Sequence, residues 1–123
     1  MFDPFPDLDE WLDELAALDG VRSAVVDPAQ LITPGVWCKV SSLGLDTLAA
    51  DEYRLDVELY LAVSDTDWRQ ARTSLMALFH RVHEHLGAPR IERATFVLLA
   101  VPTGGEVPAL LIPTTIRVVP DPD

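Results

Sequence analysis

The sequence has a single cysteine, Cys38, among its 123 residues. One thiol cannot form an intramolecular disulfide, and it cannot supply the several thiolates of a structural zinc site. Because Cys38 lies in an apolar stretch beside Trp37 and Val40, we predict a buried and unreactive thiol. Long apolar runs are also missing. None reaches the ~20 residues that span a bilayer, so the sequence predicts no transmembrane segment.

Basic residues are scarce. Nine Lys and Arg stand against 20 Asp and Glu, which gives a formal net charge of −11. This balance argues against tight binding to nucleic-acid phosphates and against attraction to anionic lipid. The first residues, Met1-Phe2-Asp3-Pro4, lack the basic region and apolar stretch of a signal peptide. We therefore expect synthesis in the cytoplasm without export.

The length and the hydrophobic content are typical of one folded domain. Hydrophobic residues make up 49% of the chain, which separates it from disordered sequences, and 123 residues suffice for one core. We predict a single domain over residues 1–123. Its last residues, 119–123, are too polar and too rich in proline to pack, so they should form a flexible tail.

Two segments have the periodicity of amphipathic helices. Residues 7–18 place leucines on one side and acids on the other, with a capping-box pattern at the start and Gly20 at the end. A longer helix is predicted to run to about Leu86, with an N-cap within residues 64–66. The leucines of the intervening loop, residues 41–52, are expected to pack locally rather than to contact a partner.

Strand patterns occur in residues 21–26, 36–40, 53–63, 91–101 and 107–119. Asp56 and Glu58 fall on the polar side of the alternating segment 53–63. Residues 96–101 are apolar on both sides, which predicts a central strand, whereas Pro108 and Pro113 indicate an edge or a break. We predict an α+β domain: a mostly antiparallel sheet of four to five strands with two helices packed on one face.

Motifs of catalysis are missing: there is no dinucleotide-binding glycine pattern, no phosphate loop and no nucleophile elbow. Three histidines, His80, His83 and His85, share the long helix with Glu84, but helical geometry spreads them around its circumference. A zinc site needs three or four converging ligands. We therefore predict no metal, no cofactor and no enzymatic activity, and we interpret the carboxylate pairs as solvated faces.

One flank of the long helix combines basic and apolar side chains on an otherwise acidic protein: Arg69, Arg72, Met76, His80 and His83. Such a strip would be complementary to an acidic helix of a neighbouring subunit. Alternatively, the arginines only make this flank soluble.

Several segments follow one another in a recognisable order: an acidic helix ending Leu18-Asp19-Gly20-Val21, then Ile32-Thr33-Pro34-Gly35-Val36-Trp37, the strand 53–63, and a helix that opens Ser64-Asp65-Thr66-Asp67-Trp68 and ends Leu86-Gly87. This order resembles the tail terminator proteins of long-tailed bacteriophages, particularly those that infect actinobacteria. The resemblance covers nearly the whole chain, although no single motif in it is specific.

The resemblance implies a structural virion protein of the tail or neck. It would form a ring, usually a hexamer, that caps the tail tube, ends its polymerisation and joins the tail to the head connector. DNA would pass through the bore without tight binding, because acids repel its phosphates. The implied bore candidates are Asp56, Glu58, Asp9 and Asp13. The implied subunit contacts are the basic flank, the loop with Leu43 and Leu45, and the hairpin tip with Gly104 and Gly105.

Three other functions remain open on the sequence. A head–tail connector or completion protein of the same virion would form a similar ring that binds the portal side. A small acidic enzyme or ligand-binding domain would have a deep pocket containing His80 or His83. A cytosolic adaptor would bind its partner through the leucines of the middle loop.

Overall fold

The computed structural model describes residues 5–45, 53–85, 93–101 and 105–118. In these ranges the chain forms two α-helices and five strands: α1 (Phe5–Ala16), β1 (Ser23–Val25), β2 (Gly35–Leu45), β3 (Tyr53–Ala62), α2 (Trp68–His85), β4 (Thr95–Ala100) and β5 (Glu106–Val118). A short 3-10 helix, Pro28–Gln30, follows β1. The predicted α+β class is confirmed.

The five strands form one mixed sheet in the order β1-β2-β3-β5-β4. β1 pairs with β2 in parallel, and the other three pairs are antiparallel. β3 pairs along its whole length with both β2 and β5. Its odd-numbered side chains from Leu55 to Leu61 lie in the core and Asp56 and Glu58 lie on the other side, which explains its clear alternation in the sequence. The sheet is therefore mostly antiparallel, as predicted.

β4 lies at the edge of the sheet, so its predicted central position is wrong. Its only partner among the described strands is β5, where Thr95 pairs with Leu111 and Ala100 with Glu106. Apolar side chains on both faces of a strand usually indicate that other layers of structure cover both faces, as in the middle of a sheet. Here they belong to a strand whose outer backbone edge has no pair among the described strands.

The prolines of β5 lie where the strand is paired less completely. β4 pairs with β5 only from Glu106 to Leu111, so Pro113 faces a partner on the β3 side alone. Pro108 lies just beyond Ala109, the last β5 residue in register with β3. Proline has no backbone N–H to donate, and these positions tolerate that loss. The prediction that parts of this strand lie at an edge is confirmed for Pro113.

A β-bulge interrupts β2 between Val40 and Ser42. Before the bulge, Val36 and Cys38 point into the core; after it, Leu43 pairs with the buried Leu55, and Ser42 points to the opposite side. One extra residue reverses the direction of every later side chain. The strand therefore continues to Leu45, where the sequence indicated a loop.

The main core lies between the helices and one side of the sheet. The odd-numbered residues of β3, from Leu55 to Leu61, are buried in it. Both helices contribute to the same cluster: Leu8, Leu12 and Leu15 from α1, and Ala71, Leu75, Leu78 and Val82 from α2. That both helices cover one face of the sheet stays a prediction, which this shared cluster supports. A smaller cluster contains Ala62, Leu99 and Ala109.

Local interactions fix the helix ends. Gly20, after α1, has a φ of 86°, which only glycine adopts easily. Asp67 is the N-cap of α2, because its side chain accepts a hydrogen bond from the Arg69 amide at 3.1 Å and its carbonyl accepts one from Ala71. The prediction of an N-cap within residues 64–66 is therefore wrong by one residue.

The short strand β1 is held to the rest of the sheet by Ser23. Its buried hydroxyl donates to the Ile32 carbonyl at 2.8 Å and accepts from the Ile32 amide at 2.9 Å. Residues 26–34 connect β1 to its parallel neighbour β2, which is shorter than the usual crossover. Trp37 secures the same connection, because its indole N–H donates to the Val26 carbonyl at 2.8 Å.

Neither described helix has the length and apolar character needed to cross a membrane.

Candidate interaction surfaces

One flank of α2 faces α1. The Arg81 guanidinium donates to the Asp19 carbonyl at 2.6 Å and lies 3.3 Å from the Asp19 carboxylate. The His85 imidazole lies 3.3 Å from a carboxylate oxygen of Glu14 in α1. These contacts fix the rotation of α2 about its axis, so the positions of its remaining side chains follow from helical geometry.

The opposite flank of α2 faces away from α1. At about 100° per residue, this side carries Trp68, Arg72, Met76 and His83. Trp68 and Met76 are 42% and 40% exposed, and Arg72 is exposed. His83 is half-buried and stacks on the Phe79 ring with 5.4 Å between the ring centroids. The structure therefore brings together three of the predicted interface residues: Arg72, Met76 and His83.

The other two predicted residues of this strip, Arg69 and His80, are exposed but turned further towards solvent. They border the flank rather than form its centre. The predicted basic strip is thus two adjoining rows on one helix.

β4 adds exposed apolar side chains on the side of the sheet away from α1, because α1 packs against β1 and β2 and β4 is the strand furthest from them. Phe96 pairs with Leu110, which belongs to the main core, and Leu98 lies two residues further on the same side. Their side chains are nevertheless 46% and 52% exposed. We call Trp68, Arg72, Met76, Phe96 and Leu98 the α2–β4 surface. Sequence reasoning missed Trp68, Phe96 and Leu98, because their apolar character predicted burial, of Trp68 in the apolar stripe of the long helix and of the other two in a central strand.

The remaining interface candidates lie elsewhere. Leu43 is 51% exposed in β2, which contradicts the expected local packing of this residue. Gly105 precedes β5 with a φ of 90°, and nothing lies within 4 Å of the position a Cβ would take. The side chain of Leu45 and the residue Gly104 lie outside the described part of the structure. Leu43 and Gly105 are not part of the α2–β4 surface as defined.

Asp56 is the centre of a polar row across three strands. Its carboxylate accepts hydrogen bonds from Ser42 of β2 at 2.7 Å and from Thr115 of β5 at 3.0 Å. The Arg54 guanidinium lies 3.6 Å away. The Ser42 hydroxyl, then the Thr115 hydroxyl and the Arg54 charge, lower the pKa of Asp56. The structure therefore maintains a negative charge on this side of the sheet.

Replacing Ser42 by alanine is expected to raise the pKa of Asp56 towards its ordinary value, because the strongest hydrogen bond to the carboxylate is lost. In the wild type, the folded-state pKa lies below the unfolded one. The contribution of Asp56 to stability is thus present above the unfolded pKa and is lost as the pH falls through the folded one. An NMR titration of the carboxyl carbon measures this pKa.

In the same titration, Thr115→Ala should give a smaller rise, and Asp56→Asn should remove this part of the pH dependence of unfolding. An unchanged Asp56 pKa in the Ser42→Ala variant would contradict the assigned cause.

Glu58 continues the acidic side of β3 towards an aromatic pair. Its carboxylate lies at the outer limit of hydrogen bonding, 3.5 Å, from both the Ser41 hydroxyl and the Tyr60 hydroxyl. Tyr60 stacks on Trp37 with 4.8 Å between centroids. Partial burial, and then the neighbouring Glu58 charge, raise the pKa of Tyr60. This side of the sheet thus has an acidic part and an aromatic part.

The four predicted bore acids do not share one surface. Asp56 and Glu58 lie on the even-numbered side of β3, opposite the residues of the main core. Asp9 and Asp13 are exposed on α1, whose leucines pack into that core. One subunit can therefore place either Asp56 and Glu58 or Asp9 and Asp13 on a single bore surface, but not all four.

Two features of the described titratable side chains bear on possible chemistry. Among the described residues, no three His, Cys, Asp or Glu side chains are placed to hold a metal ion. Cys38 is fully buried, as predicted, and burial raises the pKa of its thiol to about 12. A thiol with this pKa stays protonated and is a poor nucleophile at neutral pH.

A depression of about 270 Å³ lies between α2 and the turn that follows α1. Its lining includes Gly20, Pro34, Asp65 and Arg81, whereas His80 and His83 are not part of it. Arg81 already binds Asp19 here. The deep histidine pocket expected for the enzyme alternative is not found at this depression.

No protein-family model matches the chain, and no similar curated protein or solved structure was found.

Proposed function

We propose that this protein is a structural subunit of a bacteriophage tail, of the tail terminator type. Copies form a ring that caps the tail tube, ends its polymerisation and presents a surface to the head connector. The observation that carries the proposal is the exposed α2–β4 surface, because apolar side chains and an open strand edge favour binding to another protein chain.

The edge strand supports assembly in a second way. Soluble monomers protect an exposed edge with charges, prolines or bulges. Thr95–Ala100 contains none of these along the described strand, and Phe96 and Leu98 add exposed apolar area. A subunit that reaches its final state only beside another subunit has no need of such protection.

The acidic side of β3 supports a passage for DNA. Asp56 remains ionised because hydroxyls from both neighbouring strands bind its carboxylate, and Glu58 lies two residues further on the same side. A ring that turns this side inward would repel phosphates from its wall. The net charge of −11 agrees with this role.

Adding the purified protein to polymerising tail-tube subunits tests the proposal. We expect shorter tubes with a ring at one end in electron micrographs, and no effect on preformed capped tubes. Leu98→Asp should abolish the effect, because it places a charge within the α2–β4 surface. Thr73→Asp, which adds the same charge on the solvent side of α2, is the matched control. Tubes of unchanged length at every protein concentration would refute the proposal.

A further inference from the structure

The outer flank of α2 is free of acidic side chains along most of its length. In the sequence of α2, Glu84 is the only acid, and it lies in the last turn, whereas Arg69 and Arg72 lie in the first two turns. Both arginines are exposed. On a chain with a net charge of −11, this is a local positive surface next to apolar side chains.

α1 has the opposite character. It contains no basic residue, and Glu14 is on the side that faces α2. Asp9 and Asp13 lie on the other side of its buried leucine stripe, and both are exposed. The outer flank of α1 is therefore acidic and faces away from α2.

These two flanks lie towards opposite edges of the sheet. α1 packs against β1 and β2, and α2 packs against β3 and β5. β1 and β4 are the outermost strands on the two sides. Each subunit thus has an acidic helix flank near one edge and a basic, apolar surface near the other.

We propose that copies of this protein bind head to tail, with the acidic outer flank of α1 in one copy against the α2–β4 surface of the next. This inference deepens the proposed function and rests on it. The apolar side chains of Met76, Phe96 and Leu98 form the centre of the contact, and the Asp–Arg pairs form its rim. The contact assigns Asp9 and Asp13 to the subunit interface, which leaves Asp56 and Glu58 for the bore.

Charge and direction both favour this arrangement over a two-fold dimer. A two-fold contact through α2 would oppose arginine to arginine, whereas a head-to-tail contact opposes arginine to aspartate. β4 and β1 also run in opposite directions across the sheet. If neighbouring subunits lie side by side in the same orientation, the open edge of β4 in one subunit therefore lies beside β1 of the next, and the two strands are antiparallel. A head-to-tail contact closes into a ring when the rotation between neighbouring subunits is a whole fraction of a full turn.

Paired charge reversals test the contact. Arg69→Glu with Arg72→Glu, and separately Asp9→Arg with Asp13→Arg, should each weaken self-association about tenfold or more in sedimentation velocity at low salt. An equimolar mixture of the two variants should associate again, because each reversed flank meets a reversed partner. Lys39→Glu and Glu84→Arg change the charge outside both flanks and should leave association unchanged.

The other outcomes overturn the inference. A wild-type chain that stays monomeric at millimolar concentration and low salt, an Asp9/Asp13 reversal without effect, or a mixture that stays dissociated each excludes the contact. The tail proposal fails separately. If the variants behave as expected but the wild-type assembly leaves tail-tube length unchanged, the contact stands and the tail terminator function does not.

Discussion

Replacing Leu59 by alanine is expected to lower the free energy of unfolding by about 2–5 kcal/mol. Leu59 lies at the centre of β3, between Cys38 of β2 and Ile112 of β5, and all three side chains are fully buried. The truncation removes apolar contacts and leaves a cavity that the paired strands on both sides cannot close. Because a domain has a total stability of about 5–15 kcal/mol, this change removes a large part of it.

Urea unfolding followed by tryptophan fluorescence measures the effect. Leu43→Ala is the matched control: it makes the same truncation in the neighbouring strand at an exposed position, and it should cost less than about 0.5 kcal/mol. Equal losses in the two variants would show that Leu59 is not at the centre of the core.

Replacing Gly35 by alanine is expected to destabilise the fold by about 3 kcal/mol or more. A Cβ at this position would overlap the Ile32 carbonyl oxygen and would lie 2.5 Å from the Ser23 hydroxyl oxygen. Ser23 and Ile32 form the two hydrogen bonds that hold β1. The added methyl group therefore cannot be accommodated unless β1 separates from β2.

Gly44→Ala is the control for this glycine. It lies at the other end of β2, where an added Cβ would meet only the movable guanidinium of Arg54, 3.1 Å away. We expect a change within about 0.5 kcal/mol. Thermal unfolding and hydrogen exchange of the β1 amides measure both variants. A Gly35→Ala protein with protected β1 amides and unchanged stability would contradict the close packing of this connection.

The helices and strands whose apolar residues follow a regular helical or strand period were predictable from the sequence. β3 has strict alternation because its odd-numbered side chains from Leu55 to Leu61 lie in the core and Asp56 and Glu58 lie on the other side. Its observed range, Tyr53–Ala62, agrees with the prediction. α1 begins two residues earlier than predicted, and α2 begins later, at Trp68. Helix starts depend on a single capping side chain, here Asp67, among several adjacent candidates.

The order of the strands was not predictable. An apolar strand has the same sequence pattern whether its own domain or another subunit covers it. The apolar segment Thr95–Ala100 therefore indicated the centre of a sheet, although it lies at the edge. The parallel pairing of β1 depends on Ser23 and Trp37, whose hydrogen bonds span 9 and 11 residues. Such hydrogen bonds cannot be predicted from the spacing of apolar residues along the sequence.

The candidate surface was predictable in part. The basic flank of α2 follows from helical spacing, and Arg72, Met76 and His83 lie together as the spacing indicates. The contribution of β4 required the sheet order, because only an edge position leaves Phe96 and Leu98 exposed. The sequence offered one signal for this exposed strand. It was an apolar strand on an acidic chain, with no second strand to pair with it.

The extra residue in β2 marks a point where this chain can vary in length. Ser41 is exposed and has no partner in β3, because Val40 pairs with Val57 and Ser42 pairs with Asp56. Deletion of Ser41 would give a regular ladder in which Ser42 still lies opposite Asp56 and Leu43 still lies opposite Leu55. Natural relatives can therefore differ by this one residue without a change in which side chains of β2 face the core.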